Sequence, residues 1–376
     1  MISISTAPGV EGGNDGILPK VGIALSTEPA FVQATLPLFQ NADIDVIEWS
    51  FDTLTDAAHT PLWLDQMLEE YGAADRLLGH EVFFSLLDGR WSPEHDQWIT
   101  ALKKEGNTHR YQQLTAHFGY MTHGDFHRGC PLPVPLTTNV LNLGIDRLMR
   151  IQEVAKVPVG VENLALAFTE DDVQRQGAFL AKMVAPVNGF LILDLHNCYC
   201  QAHNFNIDIM QLIGSYPLDL VREIHVSGGS WDHIGPDNKR IRRDTHDGGV
   251  PEVIFEVLPE VLKKCPYLEY VLLEQLGSAF KEKKDQLHFQ KDFYRLKQVV
   301  GNASKDHQKK AWGNTVVPPK TPWNDEVLYR QQRNLETVLS KARKVEDVRE
   351  GFTDWQTEAW KTEMIATAIK VYQKWN

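Results

Sequence analysis

Cysteine is scarce in this sequence, four in 376 residues, and no apolar run reaches the length of a membrane span. Cys130, Cys198, Cys200 and Cys265 are too few to staple a chain of this size. Cys198-Tyr199-Cys200 leaves one residue between its thiols, too few for a zinc knuckle or a thioredoxin-like pair. Basic charge is also short: Lys and Arg number 38 against 50 Asp and Glu, a net charge of −12. That balance excludes general nucleic-acid binding, which needs a basic footprint. The first 16 residues lack both a basic start and an apolar core, so they read as a flexible tail rather than a secretory leader. A reduced, cytoplasmic protein with no membrane association is expected.

What the chain has instead is alternation. Short apolar runs alternate with helical spacing, the pattern of strands that feed helices. Strands are predicted at Val21–Leu25, Asp45–Trp49, within Arg76–Phe84, and at Leu114–His117, Val157–Asn163, Gly189–Asp194, Val221–Val226 and Leu268–Glu274. Helices are predicted at Glu28–Phe39, Pro61–Tyr71 (with Thr60 as N-cap), Thr137–Val154, Asp171–Val184, Ile207–Gly214 and Pro251–Lys264. Residues 85–113 read as an irregular insertion at one barrel end. The expected fold is an α/β (β/α)8 TIM barrel over residues 17–280, with its active site at the C-terminal strand ends. A doubly wound sheet is the alternative. Residues 281–376 read as a helical C-terminal extension, with helices at Lys281–Val300, Asn324–Val345 and Thr353–Lys374 and a connector at 301–323. Its tryptophans, Trp312, Trp323, Trp355, Trp360 and Trp375, either pack the helices onto the barrel or form a platform for a partner.

The chemistry collects at the predicted strand ends. His80, His117, Glu162, Asp194, His225 and Glu274 sit at or near them, Asn197 follows the sixth strand, and Asp244-Thr245-His246 follows the seventh. In an extended segment Asp244 and His246 share a side and can grip one ion. Imidazole with carboxylate suits iron, zinc or manganese better than calcium or magnesium. Nine such ligands exceed one ion. One ion takes His80, His117 and Glu162; a second shares Glu162 and takes Asp194, His225 and Glu274; a third takes Asn197, Asp244 and His246. Asn163 is expected to orient Glu162. His95, His109, His203, His233, His288 and His307 read as solvated, and His123 and His127 as solvated or touching substrate.

Several local words carry a resemblance: Val161-Glu162-Asn163, Leu193-Asp-Leu-His-Asn197 followed by Asn204, Glu223-Ile224-His225 with Gly228, Asp244-Thr245-His246, and Leu273-Glu274. Over residues 20–280 their order resembles the multinuclear non-haem iron-dependent oxidative enzymes (MNIO family) of the xylose-isomerase-like barrel group, and more distantly endonuclease IV. The sequence departs from the MNIO pattern at Glu81, where glycine is frequent, at His196, where asparagine is frequent, and at Gly229, where histidine is frequent. His196 is expected to share a strand face with Asp194 and so to compete with Asn197 for an ion.

The resemblance implies two or three iron ions (Fe2+/Fe3+), with O2 as co-substrate. It implies oxidative modification of a residue, often cysteine, in a ribosomally made precursor peptide. Glu162, His225 and Glu274 then carry the catalytic centre, and a separate protein delivers the peptide. Two other classes stand beside this one. A non-oxidative metal enzyme of the same barrel group would be a sugar isomerase or epimerase, or a zinc phosphodiesterase using Arg240, Arg242 and Arg243. A binding protein with a vestigial site is the third.

Overall fold

The computed structural model describes residues 17–54, 60–122, 130–234, 238–303 and 306–374. Eight parallel strands close into a barrel in chain order: β1 Lys20–Ala24, β2 Val46–Trp49, β3 Leu77–His80, β4 Leu114–His117, β5 Val159–Glu162, β6 Phe190–Asp194, β7 Val221–Ser227 and β8 Tyr270–Glu274. These strands read as continuous apolar runs because each is covered by helices outside and by facing strands inside. β6 and β7 are buried along their whole lengths. Register brings the polar strand ends level: His117 pairs with Glu162 across β4 and β5, and Asp194 with His225 across β6 and β7.

The outer helices are α1 Pro29–Gln40, α2 Leu62–Ala73, α3 Pro93–Thr108, α4 Thr138–Ala155, α5 Glu170–Val184, α6 Leu195–Phe205, α7 Ile209–Ile213, α8 Glu252–Lys264 and α9 Lys283–Gly301. Thr137 and Thr169 cap α4 and α5 through their hydroxyls. Pro61, not Thr60, stands at the start of α2, with no side-chain cap. Two expectations need larger correction. The stretch read as irregular contains α3, which buries His95, Trp98 and Leu102 along one face. The chain also turns from strand to helix with no loop at Asp194/Leu195. His196 therefore lies on a helix and shares no strand face with Asp194.

α9 packs beside α1 through Phe289, which meets Phe31 and Phe280 edge-on. From its end the chain crosses the base of the barrel, where Trp312 packs on Phe190 and the Gly313 amide donates to the Asn188 carbonyl. It then climbs the outside of α4, taking hydrogen bonds from Gln152, Arg150 and Arg147 to the carbonyls of Asn314, Pro319 and Trp323. It arrives at the mouth as α10 Glu326–Lys341, α11 Val345–Gly351 and α12 Thr362–Lys374. There Gln332 bonds the backbone of Leu87 and Gly89 after β3. Trp360 stacks on Phe168 after β5, with ring centroids 3.7 Å apart. Lys370 pairs with Asp232 after β7 at 2.9 Å. Trp312 and Trp360 are thus packing residues, Trp355 is half-buried and Trp323 is exposed. Among the described residues no helix is long and apolar enough to cross a membrane. Residues 1–16, His123, His127 and Trp375 lie outside the described residues.

Candidate metal centre

Three strand ends converge first. His80 Nε2 lies 3.3 Å from His117 Nε2 and 3.3 Å from Glu162 Oε2, and His117 Nε2 lies 3.5 Å from the same oxygen. The far side of the His80 ring fixes its tautomer. Thr115 Oγ1 donates to the Gly79 carbonyl at 3.1 Å, so it must accept at 2.7 Å from His80 Nδ1–H. Nε2 is then the nitrogen presented to Glu162 and His117. Glu81 steadies the second histidine: its Oε1 accepts the His117 amide at 2.7 Å and its Oε2 the Phe84 amide at 2.6 Å. Glu81 thus anchors the backbone beneath His117.

Glu162 also faces the other way. Its Oε1 lies 3.5 Å from His225 Nδ1, and Glu274 Oε2 lies 3.3 Å from that nitrogen. Asp194 completes this group: Glu162, Asp194, His225 and Glu274 each offer a ligand atom within 4.8 Å of the others, as do His80, His117 and Glu162. The two groups share Glu162. Asp194 is held by Asn197 N at 2.5 Å and Ser227 Oγ at 3.2 Å, and its own backbone is clamped by the Asn163 amide. Asn163 thus orients Asp194 rather than Glu162.

The third expected set is only partly assembled. His246 Nε2 lies 2.9 Å from Asp244 Oδ1, and its Nδ1 lies 3.3 Å from Glu274 Oε1. The pair does not lie on an extended segment: His246 has φ +49°, a left-handed backbone that few non-glycine residues adopt. Asn197 contacts Asn163 and Asp194, and its Oδ1 is buried without a hydrogen-bond partner. His196, not Asn197, reaches Asp244, with Nδ1 3.2 Å from Oδ1. Its Nε2 accepts from Arg242 Nε at 2.8 Å, so both ring nitrogens are engaged within the protein. Arg242 lies on a hairpin, Trp231–Ile234 with Lys239–Arg242, inside the segment read as loop. A Cβ on Gly229 would stand 2.2 Å from the Arg243 carbonyl oxygen, which explains why no side chain occupies that position.

The electrostatics suit cations. Burial alone would raise the Glu162 carboxyl, but the imidazoles of His225, His80 and His117 hold it down at about 2. Glu274 is also held well below its ordinary range: burial opposes this, and His246 and His225 outweigh it. Burial works against a charged His80, yet Glu48 and Glu162 push it up to about 10. Burial raises Asp194 well above the usual carboxylate range, with Asp244 and Glu162 adding to it. Protons on imidazole here do what a bound cation would do: they balance clustered buried carboxylates. His225 Nδ1, which faces Glu162 and Glu274, is buried without a hydrogen-bond partner. The donor set fits two metal ions of the borderline transition series.

Two acids were missed by sequence reasoning as part of this assembly, Glu48 on β2 and Glu223 on β7. Each places an oxygen 3.4 Å from His225 Nε2. The signal for Glu223 was present: it precedes His225 by two residues on a strand and so shares its face.

A UPF0276 protein of Acaryochloris marina is 27% identical over 200 residues, covering 52% of this chain and 69% of the relative. A UPF0276 protein of Caulobacter vibrioides is 30% identical over 125 residues, covering 33% and 42%. Among solved structures, L-ribulose 3-epimerase aligns at 14% identity and TM-score 0.46 over 87% of this chain and 99% of that one. A xylose isomerase domain protein from Alicyclobacillus acidocaldarius aligns at 15% and TM-score 0.48 over 76% and 98%. Residues 23–279, more than half of the chain, match the family model described as RiPP precursor modification enzyme MbnB/TglH/ChrH, and the chain belongs to that family.

Proposed function

We propose that this protein is an iron-dependent, O2-using enzyme that oxidises a residue, often cysteine, in a ribosomally synthesised precursor peptide. The observation that carries the reading is the pair of ligand groups joined at Glu162 on the barrel mouth. Membership of a precursor-modifying family supports the peptide as substrate. His80 and His117 would hold one ion, Asp194, His225 and Glu274 the other, and Glu162 both. Bound iron would supply the redox chemistry and activate O2.

The chain's own residues do the rest. Thr115 fixes the His80 tautomer, Glu81 holds the His117 backbone, and Asn163 sets the position of Asp194. Glu162 is charged throughout the physiological range, as a bridging carboxylate must be. Asp244 and His246, next to Glu274, stand where a further ion or the substrate would meet the pair. Asn197 would join them in a third site through its side-chain amide, whose Nδ2 now donates to the Asn163 carbonyl. A separate protein that delivers the peptide belongs to the same proposal, as does a cytoplasmic location.

The phosphodiesterase alternative has less support. Arg240 stacks on Trp231, Arg242 serves His196, and Arg243 pairs with Asp232 at 3.3 Å, so these arginines are engaged within the protein. The test is anaerobic purification, elemental analysis, and incubation with O2 and a cysteine-containing peptide encoded beside the gene. Two or more irons per chain and an O2-dependent mass change are expected. Stoichiometric zinc, with activity that survives exchange for other closed-shell ions, would refute the oxidative reading.

A further inference from the structure

A second layer of acid lies beneath the mouth. Glu48 sits near the end of β2 and Glu223 in the middle of β7, and both are buried. The ring of His225 separates them from the ligand groups. Its Nδ1 faces Glu162 Oε1 and Glu274 Oε2 at 3.5 and 3.3 Å, whereas its Nε2 faces Glu48 Oε1 and Glu223 Oε1, both at 3.4 Å. Gln113, just before β4, donates to Glu223 Oε2 and holds that carboxylate in place. Glu48 Oε2 and Glu223 Oε1 are buried without hydrogen-bond partners, as are both nitrogens of His225. Isolated buried carboxylates are costly, and the ion-pair partner these two share is the His225 ring.

We infer that Glu48 and Glu223 are positioning residues for the metal centre: they face Nε2 of His225 and would take its Nε2–H when an ion held with Glu162 and Glu274 occupies Nδ1. The inference rests on the metal-enzyme reading and adds the residues that set the ligand atom. A carboxylate behind a ligating imidazole fixes the ring plane and tautomer and raises its basicity, and losing such a partner typically weakens metal binding by about 10–100-fold. The geometry is the mirror of His80, where Thr115 takes Nδ1–H and leaves Nε2 for the ion. Two histidines of one centre are thus presented through opposite nitrogens. Glu48, Glu223 and His225 also bring ligand atoms within 4.8 Å of one another. An ion there would require one imidazole to be metallated on both nitrogens, so the proton is the simpler occupant.

The experiment uses the full chain, labelled with 15N-histidine and loaded with zinc alone, a diamagnetic probe of the ligand set. Long-range proton–nitrogen correlation spectra report which nitrogen of each ring carries hydrogen, and His225→Gln identifies the His225 signals. In the wild-type protein His225 is expected to be protonated at Nε2 and metallated at Nδ1, and His80 the reverse. Glu48→Gln with Glu223→Gln is expected to weaken zinc binding about 10–100-fold and to move the His225 signals, leaving the His80 pattern unchanged. If the double variant does not fold, Glu223→Gln alone is read in the same way. Metallation of His225 at Nε2 would overturn the inference, as would unchanged affinity and spectra in the variants. A wild-type zinc count one higher than the variant's would overturn it too, making the two acids ligands. A wild-type chain that binds no zinc would sink the metal reading itself, an outcome distinct from insensitive variants.

Discussion

The two sides of the candidate centre are built differently. His117, Glu162, Asp194 and Glu274 end barrel strands, His80 ends another, and His225 lies inside β7, so hydrogen-bonded ladders fix their backbones. Asp244 and His246 follow a hairpin, and His246 holds a left-handed backbone. Their neighbours are held from outside the barrel, by the Arg242–His196 contact and by Lys370 and Lys239 reaching Asp232 and Glu363. The difference teaches a division of labour. Strand-borne groups are preorganised to a fraction of an ångström, whereas loop-borne groups can adapt to a ligand or substrate.

The strongest way to break this comparison is Glu162→Gln. An amide cannot bridge two cations as a carboxylate does, so metal content should fall from two or more ions per chain to fewer than one, with activity lost. Elemental analysis of anaerobically loaded protein checks it; two retained ions would mean that the strand-borne groups do not share Glu162. Next comes Thr115→Val, which keeps the shape but removes the acceptor behind His80. Chelator competition should show about 10–100-fold weaker binding at the His80/His117 group, with Asp244 and His246 unaffected.

Acid should oppose metal binding on both sides: burial works against a charged His246, yet Asp244 and Glu274 raise it well above its ordinary value. The His80 ring holds its proton up to about 10, because Glu48 and Glu162 outweigh burial. A metal must displace that proton, so apparent affinity should rise between pH 6 and 8, by up to about tenfold per pH unit for each proton displaced. Calorimetry in buffers of different ionisation heat counts the protons released; affinity that falls with pH would reverse the assignment. The smallest effect is expected from Asp244→Ala with His246→Ala, which should cost at most one ion and leave the pair at Glu162. Loss of every ion at once would merge the two sides into one.

The barrel was legible because its strands are apolar on both faces and its helices are not. Leu114–His117 and the ends of β5, β6 and β8 are plain in the sequence for that reason. α3 was not, because its buried face is only His95, Trp98 and Leu102 among charged and polar neighbours. α6 was hidden by the joint at Asp194: Leu-His-Asn-Cys-Tyr-Cys carries little helical periodicity, and no turn residue announces it. At the site, residues that end strands could be named from the chain alone. Their supports could not, since which group takes the back of His80, His196 or His225 depends on register across the barrel and on a hairpin with an unfamiliar sequence. His95, His109 and His307, read as solvated, are buried for the same reason. His95 and His307 each meet a backbone carbonyl remote in sequence, of Ser85 and Leu262.

The joint at Asp194 has a further consequence, for how such a chain can change over generations. Asp194 is at once the last residue of β6, the cap whose carboxylate accepts the Asn197 amide, and a member of the ligand set. One inserted residue there would turn α6 by about 100° and lift Asn197 from that carboxylate. The segment between β7 and α8 carries a whole hairpin without disturbing a strand. An insertion after Ser227 is therefore expected to leave the ligand set in place, whereas one between Phe190 and Phe205 is expected to break it.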